Sequence, residues 1–312
     1  EAKTLIERDA LNAEVLFPFV NGEDLNSRPD SSAGRWIINF FDWSEERAQQ
    51  YPDCYSIVRH KVKPDRDRSN GESYRRYWWR YGRSGVALYK SIDGLSYVLA
   101  IALVSKIVLP VRVPAGQVFS HQTAVFATDD AADLALLSSA PHYWWAITHA
   151  STLETRIRYT PSDVFDTFAR PVSTDRMRIV GEELDRDRRD FMLGRQLGLT
   201  QTYNLIHEPA VADTEVAHLR ALHAEIDEAV CAAYGWDDLL LDHSHYDTRQ
   251  GVRWTVSPAA RLELLDRLLE LNHSRYAEEQ AASTAAPVRR KRRGKSTAQP
   301  AEGTLFDTDE DA

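Results

Sequence analysis

Cysteine is nearly missing from this chain. Its 312 residues include Cys54 and Cys231 and no others. Two thiols cannot build the disulfide framework of a small secreted domain, and without a C-x-x-C pair they cannot build a cysteine-rich zinc site. A reducing cytoplasm is the location this implies. Long apolar runs are missing too. The most apolar stretch, Val98 to Val113, is interrupted by Ser105, Lys106, Pro110 and Arg112, so no run approaches the roughly 20 apolar residues that span a bilayer. No membrane association is expected. No basic-then-apolar leader opens the chain. Methionine is equally scarce. The first is Met177 and the chain opens on Glu1, a pattern expected of a segment cut from something longer.

Catalytic signatures are also lacking. Neither G-x-G-x-x-G nor G-x-x-x-x-G-K-[ST] occurs, which argues against a dinucleotide or P-loop unit. G-x-S-x-G is absent. So are Asn-Pro-Pro-Tyr and Asp-Pro-Pro-Tyr, the catalytic loops of amino-methyltransferases. A metal-dependent nuclease needs an acidic residue ahead of an E-x-K or D-x-K trio, and Glu1-Ala-Lys3 has none ahead of it. His243-Ser-His245-Tyr-Asp247 has metal-capable groups at close spacing, but no partner pair elsewhere. It is expected to be a solvated polar loop rather than a metal site. His223 and Asp227, one helical turn apart, are expected to share a structural hydrogen bond. The chain therefore carries no self-sufficient active site, and no catalytic residue, bound cofactor or metal is expected on it.

What is present is charge, unevenly placed. The net charge is -9. Residues 59–90 nevertheless hold 10 basic against 3 acidic side chains, whereas residues 182–280 hold 10 basic against 20 acidic. The basic window is also aromatic: RHKVKPDRDRSNGESYRRYWWRYGRSGVALYK. Guanidinium groups neutralise phosphates, and aromatic faces stack on bases. A concentrated basic strip can steer nucleic acid even on an acidic protein. The alternative is a solvated basic helix whose Trp78 and Trp79 anchor a core.

At roughly 150 residues per domain, the length suggests about two domains. Residues 1–15 read as a linker remnant or a short helix. Residues 20–34 are turn-rich, and Arg35 to Phe41 reads as a strand. Ser44 suits an N-cap for a short helix that Pro52 stops. Ser56 to Val62 suits a short strand or a helix start, and Ser73 to Tyr81 an aromatic, basic helix. Tyr97–Ile101, Ile107–Val113 and Thr123–Ala127 read as strands. Asp129 or Asp130 caps a helix to about Ser139, and another spans Pro141 to Ala150. Ile157 to Thr160 closes the mixed region. Beyond Arg176 the pattern turns helical: Val180–Leu197 ending at a Gly198-Leu-Thr turn, Thr214–Tyr234 ended by Gly235, and a helix capped by Ser257 with Pro258 at N1. Asp242 to Trp254 reads as a polar loop. Residues 281–312 are expected to be disordered. Within them Arg289 to Lys295 is a basic arm, and Leu305-Phe306 in its acidic setting is either a docking peptide or part of a solubilising tail.

Together these segments form an ordered series. It runs LFPFVNGEDLNSRPDSSAGRWIINFFDWSEERAQQYP, VKPDRDR, YWWRYGR, VSKIVLPVRVP, VFSHQTAVFA and SSAPHYWWAITHASTLETRIRYTPSDVFDTFARP, and then GLTQTYN, LHAEIDEAVCAAYGW and LLDRLLELNHSRYAEE. From about Leu16 to Gln280 the chain resembles the C-terminal target-recognition region of large N6-adenine DNA methyltransferases. These include type IIL restriction–modification enzymes and the phage-defence methyltransferases of DISARM- and BREX-like systems. The resemblance implies an α+β fold: a mixed sheet-and-helix target-recognition domain over residues 16–171, an all-helical C-terminal domain over 172–280, and the tail. It implies double-stranded DNA as partner and a methyltransferase core lying N-terminal to this region, with other defence-system proteins as further partners. That core carries the S-adenosylmethionine site, so this chain would be inactive alone. The alternative is a stand-alone specificity or adaptor subunit acting in trans with a separate methyltransferase or nuclease. A second alternative is a protein-interaction module whose acidic helical half binds a partner.

Adenine N6 lies inside the duplex, so a core that methylates it must flip the base while another domain holds the duplex and reads base edges. The candidate contacts are residues that clamp phosphate or reach base edges. Asn21, Asp24 and Arg28 lie in the turn-rich loop, which contacts DNA, faces the core or simply forms an Asx-type turn. Lys61, Lys63, Arg66 and Arg68 suit phosphate clamps. Arg75, Arg76, Arg80 and Arg83 flank the tryptophans, which are expected to pack inward while the arginines face phosphate. Lys106, Ser120 and Gln122 sit at strand ends. Thr155, Arg156 and Arg158 belong to a polar run between a helix and a strand.

Overall fold

The computed structural model describes residues 1–82, 85–153 and 156–285. Arg83 and Thr155, and the basic arm and docking peptide of the tail, lie outside the described residues. The chain divides into two units, Glu1–Asn272 and His273–Ala312. Of the second, the structure describes the last turns of the helix Pro258–Ala285, which runs past the expected end at Gln280. The architecture is α+β. Among the described residues no helix is long and apolar enough to cross a membrane.

Four small sheets organise the first unit among its described residues. The apolar strand Tyr97–Ala102 is central to one, flanked antiparallel by Val111–Pro114 and Thr123–Phe126. It is buried on both faces beyond Tyr97, which is why it reads as a continuous apolar run and not as an alternating one. In a second sheet Leu16–Val20 pairs antiparallel with Arg35–Ile38 and parallel with Val118–Phe119. In a third, Arg156–Arg158 lies between Val104–Ser105 and Ser151–Leu153. The fourth is a hairpin, Ser244–Thr248 with Gly251–Thr255.

That hairpin corrects the expected loop at 242–254, so the region after residue 172 is not all helical. Polar residues crowd the segment, yet Arg253 is buried and Trp254 half-buried, each covered by parts of the chain far away in sequence. In the first fifteen residues the short-helix alternative is the outcome, not the linker. Ala2–Arg8 is a helix that buries Leu5, a 3-10 turn follows at Ala10–Glu14, and Leu5 and Val15 join an aromatic cluster with Phe40, Tyr51, Trp78 and Trp79. Pro52 starts a helix, Pro52–Lys61, instead of ending one, because proline needs no hydrogen-bonded N–H in a first turn.

The main core joins the strands to helices from both halves of the chain. Leu99, Ile101 and Phe126 pack with Leu134, Leu137, Trp145, Leu184, Leu222 and Ile226. Helix Ala131–Ser138 is capped by Asp130, whose side chain accepts the Ala132 N–H. Helix Asp175–Arg195 lies against it where Gly181 meets Ala131; a Cβ at Gly181 would fall on the Ala131 carbonyl oxygen. Gln196, in the left-handed region at φ 52°, ends that helix. Gly198 is therefore not the cap of the helix before it. It opens the next one, Leu199–His207, and lies so close to the Ser27 backbone that a Cβ would collide there. Inside Ala140–His149, His142 is fully buried, its Nδ1 at 2.8 Å from the Leu137 carbonyl and its Nε2 at 3.1 Å from the Tyr159 hydroxyl. The first contact makes Nδ1 the donor, so Nε2 accepts. Burial pushes this imidazole down to about 4.

Candidate nucleic-acid interface

The basic window folds into three short helices, Pro52–Lys61, Lys63–Arg68 and Glu72–Arg76. Cys54 and Val58, four residues apart, point one face of the first helix into the aromatic cluster. Trp78 and Trp79 close that cluster edge to face, 5.9 Å between ring centroids, at 5% and 8% exposure. The Trp79 indole N–H and the Arg80 Nε both donate to the Trp43 carbonyl, at 3.0 and 2.8 Å. The tryptophans thus face inward, as the sequence led us to expect.

The cations sit on the outside of this anchor. Lys61, Arg68, Arg75 and Arg76 are exposed, and Lys63, Arg66 and Arg80 are half-buried. Several lie over rings: Arg66 at 4.5 Å from the Tyr74 centroid, Arg80 at 4.5 Å and Arg76 at 5.5 Å from Tyr77. Such contacts are worth about 0.5–1 kcal/mol at exposed sites and leave the guanidinium edges open to phosphate. Lys63 pairs with Asp67 at 2.8 Å, Arg68 with Asp65 at 3.6 Å and Lys61 with Glu1 at 3.7 Å. Exposed pairs contribute only about 0–1 kcal/mol, so a phosphate can displace them.

The strand-end candidates form a second cluster. Val104 lies opposite Arg158 and Ser105 opposite Ile157. Asn26 donates to the Ser105 hydroxyl at 3.3 Å, and the Leu103 N–H donates to the Gln122 carbonyl at 2.8 Å. Lys106, Gln122, Arg156 and Arg158 are exposed on these neighbouring stretches. The turn residue Arg28 is exposed too, held at 3.2 Å from the Ser32 hydroxyl.

Three of the expected contacts are engaged within the fold. Asn21 and Asp24 form the capping box of helix Gly22–Ser27: the Asp24 N–H donates to the Asn21 side chain at 2.9 Å, and the Asn21 N–H donates to Asp24 at 3.0 Å. The second Asp24 oxygen accepts the Gly34 N–H at 3.1 Å. Both residues are buried, and the Asn21 amide oxygen and both Asp24 carboxylate oxygens accept backbone N–H groups. Ser120 is buried as well, its hydroxyl accepting the Gln122 N–H. The Asx-type turn is the outcome at this loop.

A groove links the lobe to the sheet. It measures about 620 Å³ and is lined by Arg66, Tyr74, Tyr81, Tyr89, Phe119 and His121 among others. Tyr74, Tyr81 and Tyr89 were not among the expected site residues. The signal for the first two was legible, since tyrosines alternate with arginines in YRRYWWRYGR. Tyr89 was not, because its place depends on the sheet.

No protein-family model matches the chain, and no curated protein matches it in sequence. Among solved structures it is similar to the type IIL restriction–modification enzyme MmeI in complex with DNA, with a TM-score of 0.57 and 17% identity over 88% of this chain. The two share a fold. The match takes in 33% of the MmeI chain, so this chain spans about a third of MmeI's length. Among the described residues no group of three or more His, Cys, Asp and Glu side chains is placed to hold a metal ion. His243 bonds Asp227 at 2.8 Å, and His223 bonds the Tyr203 hydroxyl at 2.7 Å. The expected His223–Asp227 pairing is therefore replaced by two separate ones.

Proposed function

We propose that this chain recognises duplex DNA sequence-specifically, as the C-terminal part of a site-specific adenine-N6 DNA methyltransferase in restriction–modification or phage defence. The observation that carries the reading is the basic lobe: tryptophans packed inward, a fringe of guanidinium and ammonium groups outward, in a fold shared with part of a DNA-bound restriction–modification enzyme. In this reading Lys61, Lys63, Arg66, Arg68, Arg75 and Arg76 hold phosphates. Gln122, Lys106, Arg156 and Arg158, with Arg28 beside them, are the candidates for base edges. Arg83 and Thr155 keep the roles that the sequence suggests.

Methyl transfer then belongs to a partner core, in the same polypeptide or in trans. In this reading the S-adenosylmethionine site lies on that core. The test is selection of a randomised duplex pool on the purified chain, with affinity followed across salt. An enriched motif with a steep salt slope establishes target recognition. Salt-sensitive binding without a motif assigns sequence reading to the absent core. No binding at low salt removes the DNA reading for this chain.

A further inference from the structure

A partly open cavity that shares no lining residue with the groove lies among Tyr143, Ser138, Tyr203, Ile206, Arg253 and Trp254. Arg253 is 8% exposed. Its Nη2 donates to the Lys106 carbonyl at 3.1 Å, and its Nη1 reaches His207 Nε2 at 3.0 Å. No carboxylate pairs with it among the described residues, and its Nε has no partner. Burying an uncompensated guanidinium costs several kcal/mol. The Tyr143 hydroxyl and Ser138 Oγ, lining the same cavity, are also buried without partners. Three unspent donors therefore border one space.

The surroundings add positive field. Arg188, 3% exposed, reaches the Tyr203 hydroxyl at 3.4 Å and the Pro110 carbonyl at 2.9 Å, again without a carboxylate. His207 and His223 are held neutral, pushed down to about 3 by burial first and by Arg253 and Arg188 next. The cavity's one carboxylate, Asp227, is already committed to the Ala140 N–H and to His243. His207 meets a donor at each ring nitrogen, Arg253 at one and the Trp254 N–H at the other, yet a neutral imidazole accepts at only one. An acceptor from outside would relieve that conflict by drawing the Arg253 donor away.

We propose that this cavity binds a small organic carboxylate, with Arg253 as its counter-ion and the Tyr143 and Ser138 hydroxyls completing the carboxylate's hydrogen bonds. The class follows from the walls. Ile107, Leu109 and Ile206 suit an apolar body, which a fully hydrated inorganic anion lacks. The site touches one proposed DNA contact, Lys106, through its backbone carbonyl alone and does not depend on that residue's side chain.

The experiment is saturation-transfer NMR and thermal denaturation of the full chain with acetate and benzoate, with chloride as the ionic-strength control and inorganic phosphate as comparator. Saturable binding and a raised melting temperature with the carboxylates, absent with chloride, are expected. Arg253→Met removes the counter-ion and should weaken binding roughly tenfold to a hundredfold, the worth of a charged hydrogen bond. Tyr143→Phe keeps the ring and should weaken it by a smaller factor, which guards against misfolding of the first variant. Equal response to chloride, a preference for phosphate, or carboxylate binding unchanged in both variants would each overturn the proposal.

Discussion

Replacing Arg75 and Arg76 together by glutamine tests the basic lobe where it is least entangled with the fold. Both side chains are exposed. Arg75 spends one N–H on the Ser69 carbonyl at 2.9 Å, and Arg76 rests 5.5 Å from the Tyr77 centroid. Neither anchors the core, unlike Arg80, which bonds the Trp43 carbonyl. Stability should therefore change by no more than about 1–2 kcal/mol. Binding should not be so tolerant. Each phosphate contact contributes about 0.9 to the slope of log affinity against log salt, so losing two lowers the slope by about 1.8. Measured from a 1 M reference, that is roughly thirtyfold weaker binding near 0.15 M salt. Fluorescence anisotropy of a labelled duplex across a salt series reads both quantities, and the loss should be the same for every duplex sequence. Arg176→Gln, an exposed cation paired with Glu228 on another helix, serves as the control. An unchanged slope in a variant that melts normally would refute phosphate contact by this lobe.

Two further outcomes test the fold. Gly181→Ala should destabilise the protein by about 1–3 kcal/mol through overpacking against Ala131, although alanine is favoured over glycine in a helix by about 1 kcal/mol; a raised melting temperature would show that the two helices are not in close contact. Acid should also destabilise it. His142, His207 and His223 are held at about 4, 3 and 3, against about 6.5 in an unfolded chain. Below about pH 6.5 the unfolded chain takes up protons that the folded chain refuses, so stability is full above that pH and falls as pH drops towards the folded values, at about 1.4 kcal/mol per pH unit for each histidine. Urea midpoints that stay flat from about pH 7 to about pH 5 would contradict the burial of these rings.

The helices were legible where periodicity and caps agreed. Thr214–Tyr234 begins and ends where its apolar spacing and Gly235 place it, and Ser257 caps the last helix through the Ala260 N–H. The inward tryptophans were legible because nothing else in a basic window can anchor it. What escaped depended on distant partners. Residues 1–15 look like a linker until the aromatic cluster gives Leu5 and Val15 something to cover. The 242–254 hairpin looks polar because its inward residues are Arg253 and Trp254, whose neighbours His207, Lys106 and Arg220 come from far along the chain. Asn21 and Asp24 are ambiguous in sequence for the opposite reason: the capping box is local, and the same side chains that suit base edges also suit a helix N-terminus.

A net charge of -9 would seem to repel DNA. Some of the acidic residues after 182 are engaged by neighbouring arginines, Asp213 and Glu215 by Arg195 and Asp238 and Glu263 by Arg267. Such pairs present little field beyond their own surface. At physiological salt, exposed charges fade over about 8 Å. A duplex meeting the lobe therefore responds to the local excess of 10 basic over 3 acidic residues in 59–90, not to the sum over the chain. The unpaired acidic surplus elsewhere then acts as a directional bias, since a duplex approaching the helical half finds no comparable surplus of cations. Raising salt should erode attraction and bias together, which is why the salt slope of the Arg75/Arg76 variant, more than its affinity at any one salt, decides whether this lobe holds the backbone.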